Sequence, residues 1–255
     1  MAPAPIVFIH GAFCGGWVFD DFAPPFAAAG HAVSAPDLPG HGAGRTSVAG
    51  LSMGDYALAI AAHIAAQPAP PVLIGHSLGG LVALMAAMRV RTSGVVLLAP
   101  SSPWGVSGST MEEAVSAVSL FAFGPYWAQA IDPDYSTFSH FSVDRMERSA
   151  QHALFKRMRP ESGRALFETL NWWLDPFMTT SVDAARIAAP ILALAGERDT
   201  VHPPATVRET ARRLGADFRV MPGMSHWLPG EPGFEAVAAN CLAWLAATGD
   251  RLAAE

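Results

Sequence analysis

Pro71-Val72-Leu73-Ile74-Gly75-His76-Ser77-Leu78-Gly79-Gly80-Leu81-Val82-Ala83-Leu84-Met85-Ala86-Ala87-Met88 is the stretch on which the fold turns. A short apolar run, Val72 to Ile74, reads as a buried strand, and the run from Leu81 to Met88 reads as a helix. Between them lies Gly75-His76-Ser77-Leu78-Gly79, a G-x-S-x-G sequence. G-x-S-x-G alone is a weak signal in a chain with 23 glycines. Set between a strand and a helix it predicts a sharp, strained turn that lifts the Ser77 hydroxyl into the open. Glycine at both ends lets the strand and helix backbones approach closely.

Working outward, the first ~100 residues alternate short strands with helices, the mark of a parallel sheet with crossover helices. Strands are expected at Ile6 to His10, Ala32 to Ala35, Val72 to Ile74 and Gly94 to Ala99. Helices are expected over Trp17 to Ala29, ending at Gly30, and over Ser52 to Gln67. Ser52 is the candidate N-cap of the second, and Asp55 supplies acid to its first turn. From Ser101 to Thr180 no strand is evident, and the segment is helical and rich in aromatic residues. Strands resume at Pro190 to Ala195 and Asp217 to Met221, with helices at Val207 to Leu214 and Phe234 to Ala247. The expected class is therefore α/β. A doubly wound, mostly parallel core built from residues 1–100 and 181–255 is interrupted by a helical cap or lid at 101–180. An insertion of ~80 residues is too long for an unstructured loop.

Composition fits one large domain: 255 residues, 51% hydrophobic and only 15% charged. A net charge of -6, with 16 basic residues of which only Lys156 is a lysine, argues against nucleic acid as a partner. Two cysteines, Cys14 and Cys241, set no disulfide framework and suggest reduced thiols. The N-terminus lacks a basic secretion signal, and no apolar run reaches the ~18 residues of a membrane span. A cytoplasmic location is the expectation. Nothing in the sequence specifies an oligomeric state.

A serine hydroxyl needs a base, and the base needs an orienting acid. Strand Ile191 to Ala195 runs into Gly196-Glu197-Arg198-Asp199, which puts Asp199 in a loop at the strand's C-terminal end, the ligand-binding edge of such sheets. The next strand ends at Met221 and leads through Pro222-Gly223-Met224-Ser225 to His226. Ser77, Asp199 and His226 therefore follow the chain order Ser, acid, His. Glu197 is the competing acid, and Asp175 and Asp183 are read as insert or solvent-facing residues. His10 and His76 are assigned to packing and loop hydrogen bonding, whereas His202 is a candidate neighbour of the acid loop. Oxyanion donors are expected from the Leu78 N–H, which opens the helix, and from the glycine loop after the first strand. In that loop Ala12 is the first choice and Phe13 the second; Cys14 is a competing nucleophile without a visible base.

At this point the chain resembles the α/β-hydrolase superfamily. The resemblance is carried by His10-Gly11, Asp37-Leu38-Pro39-Gly40-His41-Gly42, Gly75-His76-Ser77-Leu78-Gly79-Gly80, Gly196-Glu197-Arg198-Asp199 and Ser225-His226. The loop His10 to Trp17 is similar to that of plant methylesterases and their hydroxynitrile lyase relatives. The resemblance implies a Ser77–His226–Asp199 triad with Ala12 and Leu78 as the oxyanion hole. Trp227, directly after the histidine, also resembles serine-dependent carbon–carbon bond hydrolases. Serine at the elbow, where aspartate-dependent relatives carry the acid, implies acyl transfer. Lys156 could stand where the lyases keep a cap lysine, but its neighbours read as a solvated helix.

The expected reaction is hydrolysis of a carboxylic ester of a small, largely apolar substrate through an acyl-enzyme. The aromatic insert is the only substrate clue: most of its rings glue it to the core, and Trp172, Trp173 and Phe177, with Phe13 and Trp227, are the candidate pocket residues. Lactonase, thioesterase or carbon–carbon hydrolase chemistry on the same triad stays open, as does a ligand sensor that keeps the fold. No metal or dinucleotide cofactor is expected, since no H-E-x-x-H, Cys-rich or G-x-G-x-x-G signature occurs in place.

Overall fold

Why one serine and two distant loops can meet is explained by the sheet. A computed structural model describes residues 3–44, 46–111, 113 and 124–254, with the side chains of 250–254 excepted. Phe121 and Phe123, counted among the insert's aromatic residues, lie outside the described residues. Strands β1 (Ile6–Ile9), β2 (Val33–Ser34), β3 (Val72–His76) and β4 (Gly94–Leu98) precede the insert, which carries β5 (Ala130–Ile131) and β6 (Glu161–Ser162). Strands β7 (Ile191–Gly196) and β8 (Asp217–Met221) follow it. Six of these form one parallel sheet in the order β2-β1-β3-β4-β7-β8. Every residue of β1, β3, β4 and β7 is buried, which is why they read as unbroken apolar runs rather than alternating ones.

Side chains still alternate between the two faces. Val7, Ile9, Leu73, Val95 and Leu97 join helices α2 (Met53–Ala65) and α3 (Leu78–Ala87), whereas Ile6, Phe8, Ile74, Val96 and Leu98 face Phe19, Phe22, Phe26 and Trp244. All ten residues of α3 are buried, because it lies within the fold rather than on its surface. Each fully buried Leu, Ile or Phe contributes roughly 1.5–3 kcal/mol. Among the described residues, no helix is long and apolar enough to cross a membrane.

Helix α2 begins with a reciprocal capping box. Ser52 Oγ accepts from the Asp55 N–H at 3.0 Å, and Asp55 Oδ2 accepts from the Ser52 N–H at 2.8 Å. A cap of this kind is worth about 1 kcal/mol. The expected helix from Trp17 to Ala29 is broken into a 3-10 turn, Gly16–Phe19, and a short helix, Pro24–Ala28. Pro24 and Pro25 lack N–H donors, so they can only open a helix, not continue one. The C-terminal helix runs further than expected, from Phe234 to Ala254. The insert also departs from the expectation: β5 and β6 pair antiparallel, Ala130 with Ser162 and Ile131 with Glu161. Two-residue strands are too short to show a period-2 pattern in sequence.

Candidate active site

Ser77 closes β3 and opens α3 at φ 54° and ψ -124°, a conformation rarely open to a residue with a Cβ. The turn is held from both sides. The Ser77 N–H donates to the Leu98 carbonyl at 2.9 Å, and its own carbonyl accepts from Gly80 and Ser101 at 2.9 and 3.0 Å. A side chain at Gly75 or Gly79 would strike backbone, the first against Gly79 and the second against Ile9 and His10. Small residues are therefore required where the strand, the helix and the loop after β1 cross.

Asp199 and His226 leave the C-terminal ends of β7 and β8, beside the turn. His226 Nε2 is 3.1 Å from Ser77 Oγ, and His226 Nδ1 is 2.9 Å from Asp199 Oδ2. Asp199 Oδ1 accepts the Val201 and His202 N–H groups at 2.8 and 2.9 Å. Burial alone would raise the Asp199 pKa, but His226 and these donors hold it below its ordinary value. An ionised Asp199 keeps the proton of His226 on Nδ1 and leaves Nε2 free to accept from the serine. Glu197 plays no part in this row. It is exposed and accepts from the Gly223 N–H at 2.6 Å.

Two other histidines, His76 and His202, pack against His226, and a third, His10, lies directly after β1; all three are neutral. His76 Nε2 donates to the His226 carbonyl at 2.9 Å, with the two rings 5.0 Å apart. His202 Nε2 meets Ser101 Oγ at 3.0 Å, and its ring lies 5.2 Å from that of His226. His10 Nδ1 donates to the Gly11 carbonyl at 2.8 Å, and its Nε2 accepts from the Leu38 N–H at 2.9 Å. Burial is the main cause that lowers their pKa values, to about 3 for His76 and about 4 for His202 and His10.

The Leu78 N–H lies in the first turn of α3, where no helical carbonyl reaches it. The Ala12 N–H has no acceptor among the described residues. Phe13 differs, because its N–H donates to Glu161 Oε2 at 3.2 Å. Of the two loop donors weighed from sequence, Ala12 is thus the one left available. Burial pushes the Cys14 thiol well above its ordinary pKa, which argues against a thiolate nucleophile. Lys156 is exposed at the end of the helix Arg148–Phe155.

The candidate pocket residues fare unevenly. Trp227 is buried, with its ring edge-on to His76 and Phe138 and 6.3 Å from Trp17, so it braces the His226 loop from within. Trp172 packs edge-on against Trp104 at 5.2 Å and against Trp173 at 6.0 Å. Trp173 is half exposed. Phe177 is 84% exposed. Buried Asp175 holds that loop by accepting the Phe177 and Thr179 N–H groups at 3.0 and 2.7 Å. Asp183 caps a 3-10 turn by accepting from Ala185 at 3.0 Å.

Several residues that sequence reasoning passed over frame the site. Glu161 Oε2 lies 3.1 Å from His41 Nε2, and Oε1 accepts from Tyr56 at 2.6 Å. On the other flank, Asp144 Oδ1 accepts from Ser225 Oγ at 2.5 Å, and Arg145 donates to the Gly223 carbonyl. Glu231 accepts the Ser225 N–H at 2.7 Å, and burial pushes its pKa up to about 7. A lone Glu or Arg in a helical insert carries no local signal of such contacts. His41 and Ser225 sat in blocks already singled out.

The family model described as the alpha/beta hydrolase family matches residues 6–239. The pimeloyl-[acyl-carrier protein] methyl ester esterase of Xanthomonas oryzae pv. oryzae (strain MAFF 311018) is 31% identical over 218 residues, covering 81% of each chain. Among solved structures, the methylesterase MES16 from Arabidopsis has a TM-score of 0.73 at 16% identity, covering 95% of this chain and 99% of its own. A pyrethroid hydrolase from Sphingobium faniae JZ-2 has a TM-score of 0.74 at 20% identity, covering 97% and 99%. At these identities the two structures speak for the fold. Together with the family match across nearly the whole sheet, they make this chain a member of the α/β hydrolase family.

Proposed function

We propose that the protein is a carboxylic ester hydrolase working through Ser77, His226 and Asp199. What carries the proposal is the row of two hydrogen bonds, 3.1 Å from Ser77 Oγ to His226 Nε2 and 2.9 Å from His226 Nδ1 to Asp199 Oδ2. His226 takes the Ser77 proton as Oγ attacks the ester carbonyl. The Ala12 and Leu78 N–H groups stabilise the tetrahedral oxyanion, and His226 then protonates the leaving alcohol. Water activated by the same imidazole hydrolyses the acyl-enzyme. Loss of one oxyanion donor in such a site costs about 100- to 1000-fold in rate.

The insert serves as the cap over this centre, and its aromatic residues favour a small apolar acyl or alkyl group. A relative named for ester cleavage, the pimeloyl-[acyl-carrier protein] methyl ester esterase, supports the reaction class. Purified protein should release p-nitrophenol from p-nitrophenyl butyrate continuously, and a fluorophosphonate should label Ser77. A single stoichiometric burst would instead indicate a ligand sensor. Faster turnover of lactones or thioesters than of any ester would move the assignment within the same chemistry.

A further inference from the structure

Both polar groups of the Phe13 backbone are taken by the insert. The N–H donates to Glu161 Oε2 at 3.2 Å, and the carbonyl accepts from the Arg159 N–H at 2.9 Å. Phe13 itself sits at φ 64°. That conformation costs a residue with a side chain of order 1–3 kcal/mol and persists only where the surroundings impose it. Here they are two hydrogen bonds from one short stretch of the insert. The Glu161 bond holds the Ala12–Phe13 peptide and with it ψ of Ala12, and the Arg159 bond holds the Phe13–Cys14 peptide, so the chain directly after Ala12, whose own N–H is left for a ligand, is pinned on both sides of Phe13.

Glu161 is itself firmly placed. It is fully buried and accepts from Tyr56 at 2.6 Å and from the Ser162 N–H at 2.7 Å. His41 Nε2 faces it at 3.1 Å and is tied through Nδ1 to the Pro39 carbonyl at 3.2 Å. Burial works against charge on both partners, yet their mutual attraction raises His41 and lowers Glu161. The His41 Nε2 at 3.1 Å draws on the carboxylate's charge, so that Glu161 opposes less the negative charge that develops beside the loop. Other contacts already join the insert to the core, such as Arg157 to Asp20 at 2.9 Å. Docking alone does not call for a buried acid aimed at a loop N–H.

Resting on the assignment of Ala12 as an oxyanion donor, we propose that Glu161 is a positioning residue for the oxyanion hole. Through the Phe13 N–H, with the Arg159 N–H on the Phe13 carbonyl, it aims the Ala12 N–H at the oxygen of the carbonyl that Ser77 attacks.

The test compares wild type, Ser77→Ala, Glu161→Ala, Glu161→Gln, Arg159→Pro and Arg159→Ala on p-nitrophenyl butyrate. Active sites are counted with a fluorophosphonate, and an alkyl trifluoromethyl ketone reports affinity for a tetrahedral adduct. Glu161→Ala should lower kcat per titrated site by about 10- to 100-fold, with KM within about twofold and the ketone weakened by a similar factor as kcat. Glu161→Gln keeps an acceptor for the Phe13 N–H and should recover kcat to within about threefold of wild type. Arg159→Pro removes the donor to the Phe13 carbonyl and should lower kcat about 3- to 10-fold below an Arg159→Ala control, which loses the same side chain but keeps the N–H. A purely structural Glu161 would lower the titratable fraction or Tm while kcat per site stayed whole, and that result overturns the proposal. If Glu161→Ala does not fold, Arg159→Pro decides: kcat and ketone affinity unchanged from Arg159→Ala sink the positioning role. Wild type without ester turnover would sink the ester-hydrolase assignment, and turnover retained in Ser77→Ala would sink Ser77 as its nucleophile, so these failures are distinct from that of the positioning role.

Discussion

Among the described residues the protein buries two histidine–carboxylate pairs, and they differ in what stands on the histidine's other nitrogen. His226 meets Asp199 at 2.9 Å, and its free Nε2 faces the Ser77 hydroxyl. His41 meets Glu161 at 3.1 Å, and its Nδ1 faces a backbone carbonyl, Pro39. The first imidazole can take up a proton and pass it on. The second is locked between two acceptors and can only hold one. A histidine beside a buried carboxylate is thus poised towards a hydroxyl in one pair and fixed as a strut in the other, and the third partner decides which.

The largest contrast should appear in rate. Ser77→Ala should reduce kcat by roughly a millionfold, checked by ester hydrolysis and by loss of fluorophosphonate labelling. Asp199→Asn should fold normally yet lose about 10⁴-fold in kcat, because the amide would favour the wrong His226 tautomer. Asp199→Asn at full rate would dissolve the distinction between the pairs. In stability the order reverses. His41→Ala strands a buried Glu161 and should cost about 3–5 kcal/mol in urea unfolding.

The pH dependence sharpens the comparison further. His10, His76 and His202 are buried neutral, so below pH 6.5 the unfolded chain binds protons that the folded chain refuses. For His202 the loss is on the order of 3 kcal/mol by pH 4, and His202→Asn should flatten the fall of Tm between pH 7 and 4. His41 runs the other way. Its raised pKa means its contribution is full below pH 6.5 and fades as pH rises through the folded value. Glu161, lowered, contributes above about pH 4.5 and loses that contribution as pH falls through its folded value. The smallest effect belongs to Arg157→Ala, which removes a half-exposed pair with Asp20 and a stack on Trp17. It should shift stability by under about 1 kcal/mol and leave kcat unchanged.

Legibility in the sequence tracked how local each signal was. The strand–turn–helix at Ser77, the cap at Ser52 and the apolar runs of β1, β3, β4 and β7 are contained within a few residues, so they could be read directly. Pro24-Pro25 is a local signal as well, a helix breaker, and the helix expected from Trp17 to Ala29 broke there. Phe177 looked like a pocket residue on chemistry alone. An Asx turn built by Asp175 carries it into solvent instead. Trp227 looked like a ligand contact and became a brace beneath His226.

By itself, the sequence determined the alternating strand and helix order, the strained serine turn and the candidate acid and base in their loops, because each depends on neighbours along the chain. The tertiary structure alone decided that Asp199 rather than Glu197 stands against His226, and that Glu161 reaches Phe13 across 148 residues. Those pairings depend on which strand ends lie side by side and on how the insert folds back, and no local pattern of polarity or spacing encodes either.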